Sequence, residues 1–94
     1  MKKIQTKSGF VCEVNERTPV DWDYINILRN AEKATDAFER IDITMTAVET
    51  LLGKDQTAAL AEHIKDKNGI KDVQMVFAEF REIMSLIGEE TKKS

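Results

Sequence analysis

Cysteine, histidine, proline, tryptophan and tyrosine each occur once in this chain, and each scarcity closes off a class of protein. A single cysteine, Cys12, excludes an internal disulfide framework and fits a reducing compartment. A single histidine, His63, leaves a catalytic imidazole without a recognisable nucleophile and a metal without a ligand cluster. No apolar run approaches the length needed to cross a bilayer, and Met1-Lys2-Lys3 leads into polar residues, so no signal peptide is expected. The net charge of −3 supplies no general attraction to phosphate backbones. Phosphate-cradling glycine loops, zinc-ligand spacings and nucleophile elbows are lacking too. The chain is therefore expected to be no enzyme and to use no cofactor or metal.

What remains is ordinary for a small globular domain: 94 residues, 41% hydrophobic and 33% charged. There are no internal repeats and no low-complexity linkers. Residues 1–88 read as one domain, mainly α in an α+β arrangement. A β-hairpin over residues 1–15 packs on about four short helices, and residues 89–94 form a flexible polar tail. In the hairpin, Ile4 and Thr6, then Phe10, Cys12 and Val14, alternate with polar residues. A two-residue turn at Ser8-Gly9 would set Ile4 opposite Glu13. A three-residue loop with Gly9 left-handed sets Ile4 opposite Cys12 and Thr6 opposite Phe10, gathering the apolar side chains on one face. The longer loop is preferred. Lys2, Lys3 and Lys7 then serve to discourage edge-to-edge pairing.

Residues 15–20 form a connector holding Pro19. Asp21 reads as a helix N-cap, with Asp23 behind it, and Tyr24, Ile25 and Leu28 share one face. Asn30 to Thr35 is weaker helix material, a second connector or a frayed end. Thr35 or Asp36 caps the next helix, where Phe38, Ile41, Met45, Val48 and Leu52 recur at the spacing of a buried stripe. Gly53 punctuates Leu51-Leu52-Gly53-Lys54-Asp55-Gln56, and a third helix covers roughly Asp55 to Lys65 before the Asn68-Gly69 turn. The fourth starts at Lys71 or Asp72 and carries Val73, Val76, Phe77, Phe80, Ile83, Met84 and Ile87, the strongest apolar stripe in the chain.

The acidic balance lies between Glu13 and Asp42, where eight acidic residues face four basic ones. Most of these belong on solvated helix faces. A helix-turn-helix reading has little to recommend it, because the candidate recognition segment Lys54 to His63 carries one lysine, two acidic residues and a face of alanines. His63, near the end of its helix, suits the helix dipole, and Cys12 suits a small core position. A few apolar residues leave the main stripes. Leu51 fits a second buried face of a central helix, whereas Ile43, Met75 and Leu86 are candidate protein-binding residues, facing a partner or a second copy of the chain.

The order of these parts resembles the small tail assembly chaperones of long-tailed, siphovirus-type bacteriophages and prophages of Gram-positive hosts. The residues that carry the likeness run the length of the chain. They are Ser8-Gly9-Phe10 through Glu13-Val14, Val20-Asp21-Trp22-Asp23-Tyr24, Leu51 to Gln56, His63 to Gly69, and the closing Val73 to Met84. The threonines Thr44 and Thr46 depart from the pattern, standing where stronger helix formers are expected. The resemblance implies a non-enzymatic protein of the bacterial host cytoplasm that binds the tape-measure protein and helps recruit tail-tube subunits. It implies absence from the finished virion, and no role on nucleic acid or membrane. It also implies a possible longer form through a backward ribosomal slip near Thr91-Lys92-Lys93, a stretch that a slippery adenine run can encode. The alternative is a small prophage or bacterial regulatory adaptor that binds one folded protein.

Overall fold

The N-terminal hairpin forms in the register that a three-residue loop requires. In the computed structural model, which describes the backbone of residues 1–93 and the side chains of residues 1–88, β1 (Lys2–Gln5) pairs antiparallel with β2 (Val11–Val14). Ile4 stands opposite Cys12 and Lys2 opposite Val14. The Thr6 amide donates to the Phe10 carbonyl at 2.9 Å, and the Gly9 amide to the Thr6 carbonyl at 3.0 Å. Gly9 has φ +95°, a conformation that a β-carbon makes costly. Ile4, Thr6, Phe10, Cys12 and Val14 are all buried. The alternation therefore lines one face of the hairpin, and that face meets the helices.

A 3-10 turn at Thr18–Val20 leads into α1 (Trp22–Lys33), whose first turn is closed by Asp21: its carboxylate accepts the Tyr24 amide at 3.0 Å. The helix takes in Asn30 to Lys33 of the segment expected to be a connector or a frayed end and stops there, leaving Ala34 to Asp36 as the connector. The reason lies in Ala31 and, just past its end, Ala34, both buried: small residues let the helix lie close to its neighbour while leaving little hydrophobic signal in the sequence. Tyr24 is fully buried, but Ile25 is 41% exposed and does not share its role.

The described residues hold three α-helices where about four were expected. The second, α2, spans Ala37–Ile64, and the break expected after Leu52 is confined to Gly53, at φ 80° and ψ 162°. The stripe on its first half also needs correcting. Val48 and Leu52 are buried and Ile41 and Met45 partly so, but Phe38 is 81% exposed. Phe38 keeps the spacing but sits in the first turn of α2, where no other element packs over it.

A turn joins α2 to the last helix, with the Asp66 carboxylate accepting the Asn68 and Ile70 amides at 2.8 and 3.0 Å. Asp72 then caps α3 (Val73–Lys93), accepting the Gln74 amide at 2.8 Å. Val76, Phe77, Phe80, Ile83 and Ile87 point into the core, as the stripe predicts. Buried residues of both strands and all three helices form one cluster, with Tyr24, Val14, Val48, Leu60 and Ile83 almost wholly enclosed. The polar tail expected over residues 89–94 falls outside the residues whose side chains are described. No helix is long and apolar enough to cross a membrane among the described residues.

The hairpin is fastened to the helices by side chains that satisfy its backbone. Gln56 on α2 lies along β2: its Oε1 accepts the Glu13 amide at 2.7 Å, and its Nε2 donates to the Glu13 carbonyl at 2.8 Å. The carboxamide thus takes the place of a neighbouring strand at that residue. Gln56→Ala is expected to cost about 1–2 kcal/mol in urea unfolding and to speed hydrogen exchange at the Glu13 amide. Unchanged exchange there would show that the clamp contributes nothing.

Candidate protein-binding surface

The three apolar residues singled out from the sequence do not share one setting. Met75, in the first turn of α3, is 50% exposed. Leu86, eleven positions on, is partly buried and packs against the core cluster. Ile43 is half-buried on α2, where it lines an open groove of about 390 Å³ with Asn30, Lys33, Ala34, Thr35 and Glu39. Neither Met75 nor Leu86 lines that groove. Met75 stands free of the core, so Met75→Ala is expected to change folding stability by less than about 1 kcal/mol. A larger loss in thermal unfolding would place it in the core.

The glutamates between Met75 and Leu86 have a structural task that the sequence alone did not disclose. Glu79 is buried at 9% exposure, its Oε1 accepting from the Thr6 hydroxyl at 2.9 Å and from the Ser8 hydroxyl. Glu82 accepts the Lys7 amide at 2.7 Å. The side of α3 that carries them is therefore occupied by the hairpin loop. His63 completes the fastening from α2, with Nε2 at 3.1 Å from the Ser8 hydroxyl and 3.2 Å from the Ser8 carbonyl, and its ring 5.6 Å from that of Phe10.

Serine, histidine and glutamate thus meet at one place, and their order decides what they can do. A hydrolytic triad needs the histidine between the serine and the acid. Here Ser8 lies between His63 and Glu79, and its hydroxyl is directed at the carboxylate. The cluster is a hydrogen-bonded latch on the hairpin loop. Beside it, Glu62 turns away toward Lys65 at 3.0 Å and Lys71 at 3.8 Å, and the hydrogen bond from Lys65 leads in holding its carboxyl below the usual range. Burial pushes the Cys12 thiol upward, away from the reactive thiolate.

The largest exposed apolar side chains lie elsewhere. Trp22 is 76% exposed, Phe38 81%, Val20 65% and Ile70 60%. Trp22 opens α1 nine positions before buried Ala31, and nine positions place two residues on opposite sides of a helix. Acidic residues flank both aromatics in sequence, Asp21 and Asp23 around Trp22, Asp36 and Glu39 around Phe38. A second open groove, of about 580 Å³, runs between α1 and α2 and is lined by Leu28, Ala31, Glu32, Arg40 and Thr44. Among the described residues no three of His, Cys, Asp and Glu cluster closely enough to hold a metal ion.

No protein-family model, curated protein or solved structure matches this chain.

Proposed function

We propose that this protein is a non-enzymatic assembly chaperone for the tail of a long-tailed bacteriophage or prophage. In this reading it binds the tape-measure protein in the host cytoplasm, keeps that protein's apolar helices in solution, helps recruit tail-tube subunits and leaves before the virion is complete. The order of sequence parts supports the family. The observation that carries the activity is the exposure of Trp22, Phe38 and Met75 on a molecule whose core is otherwise closed. Large apolar side chains left in water on a small domain suit adaptable contact with apolar helices. The acidic residues beside the two aromatics would hold such contacts to weak, reversible affinity and favour partners with basic flanks.

The test begins in the gene neighbourhood, where a very long helical reading frame downstream and a tube-protein gene upstream are expected. Co-expression with that long protein is then expected to move it from the insoluble to the soluble fraction, with many copies of the chaperone bound along it. Trp22→Ala combined with Met75→Ala is expected to lower the recovered complex severalfold while leaving the chaperone folded. A single tight copy on a globular partner would instead support the regulatory adaptor.

A further inference from the structure

The kink in α2 rests on one residue. Gly53 alone departs from helical angles within Ala37–Ile64, with helical residues on both sides of it. Gln56 Nε2 reaches back to the Leu52 carbonyl and Thr57 Oγ1 to the Gly53 carbonyl, both at 2.7 Å. These are the carbonyls that the amides of the same two residues would take in an unbroken helix. Moving two backbone dihedrals of one glycine would therefore join the halves into a straight rod about 42 Å long.

The buried faces show what that change would do. In the kinked chain Val48, Leu51 and Leu52 before the hinge and Leu60 and Ile64 after it belong to the same core. Leu51 and Leu60 are nine positions apart, about two and a half turns, so in a straight rod they point in opposite directions. Val48 and Ile64, sixteen positions apart, diverge almost as far. A straightened chain can no longer bury both faces in its own core. Every long-range fastening described above also joins a residue before Gly53 to one after it: Thr6 with Glu79, Lys7 with Glu82, Ser8 with His63, Glu13 with Gln56. Tyr24 on α1 and Met84 on α3 do the same, with the phenol donating to the thioether sulfur at 2.6 Å. A second copy, opened in the same way, offers the complement of each.

We propose that Gly53 is the hinge of an exchange between two copies of this chain. In the exchanged dimer α2 runs straight, and the second half of α2 with α3 docks on the hairpin and α1 of the other copy, rebuilding the same core twice. The proposal stands apart from the chaperone reading and would hold for an adaptor as well.

Gly53→Ala tests it cleanly. A β-carbon at Gly53 meets no heavy atom within 4 Å, so the substitution acts through the backbone alone. It penalises φ +80° and favours the helical alternative. Dimerisation is expected to tighten by about a hundredfold or more, since both hinges of the dimer benefit. Light scattering on a sizing column is expected to give twice the 10.7 kDa mass with the helical circular dichroism retained. A folded variant that stays monomeric at high concentration would overturn the proposal. If the variant fails to fold, wild-type chain refolded from urea at high concentration decides: a persistent dimer supports the hinge, and monomer alone refutes it.

Discussion

Phe80→Ala is expected to remove about 3–5 kcal/mol of folding stability, measured by urea unfolding against wild type. Phe80 lies in the middle of α3 at 4% exposure, among residues contributed by every element of the fold. The lost ring takes away its transfer free energy and leaves a cavity that α3 has little freedom to close. Domains of this size are stable by about 5–15 kcal/mol in total, so the variant would fall near the unfolding threshold at physiological temperature. Phe77, at 6% exposure, is expected to behave alike. Met75→Ala on the same helix is the internal control. Equal losses from Met75→Ala and Phe80→Ala would show that α3 has no free face at its start.

The contrast between Phe80 and Met75 was visible in the sequence, because the α3 stripe is long and its period is clean. The hairpin register was visible too. Two choices of loop length gave opposite faces to Ile4, and only one gathered Ile4, Phe10, Cys12 and Val14 together. Such readings succeed where local geometry and burial agree. They fail where a contact spans the chain. Glu79 and Glu82 look like a solvated helix face, and nothing near them in sequence reveals that the backbone and hydroxyls at Thr6, Lys7 and Ser8 will meet them. Phe38 fails for the converse reason: periodicity reports the side of a helix, not whether a neighbour reaches that turn. The end of α1 was hidden because Ala31 and Ala34 bury a face with methyl groups, which weigh little in any hydrophobic pattern. Of the candidate surface, Met75 was legible as an apolar residue off the stripe, whereas Phe38 became a candidate only once the packing was seen.

Alkaline pH is expected to destabilise the fold through two buried groups that resist ionisation, Tyr24 and Cys12. The Tyr24 side chain is enclosed, and burial pushes its phenol well above the ordinary value of 10.0. Burial likewise raises the Cys12 thiol above its ordinary value of 9.0. Below pH 9 both groups hold their protons whether the chain is folded or unfolded, and neither makes stability depend on pH. Above pH 9 the unfolded chain releases the thiol proton, and above pH 10 the phenol proton, while the folded chain retains them. The unfolded state then binds fewer protons, so stability falls as pH rises, by about 1.4 kcal/mol per pH unit for each such group. The loss from Tyr24 continues until the folded phenol itself ionises. Tyr24→Phe isolates this effect, because the ring still fills its site and every other titratable group is common to both proteins. The variant gives up the hydrogen bond to Met84, which lowers its stability by a similar amount at every pH below 9. Between pH 10 and 11.5 the wild type is expected to lose about 2 kcal/mol more than Tyr24→Phe in urea unfolding. Parallel losses across that interval would mean that the phenol ionises as readily in the folded protein as in the unfolded chain, and that water reaches Tyr24 through the contact between α1 and α3.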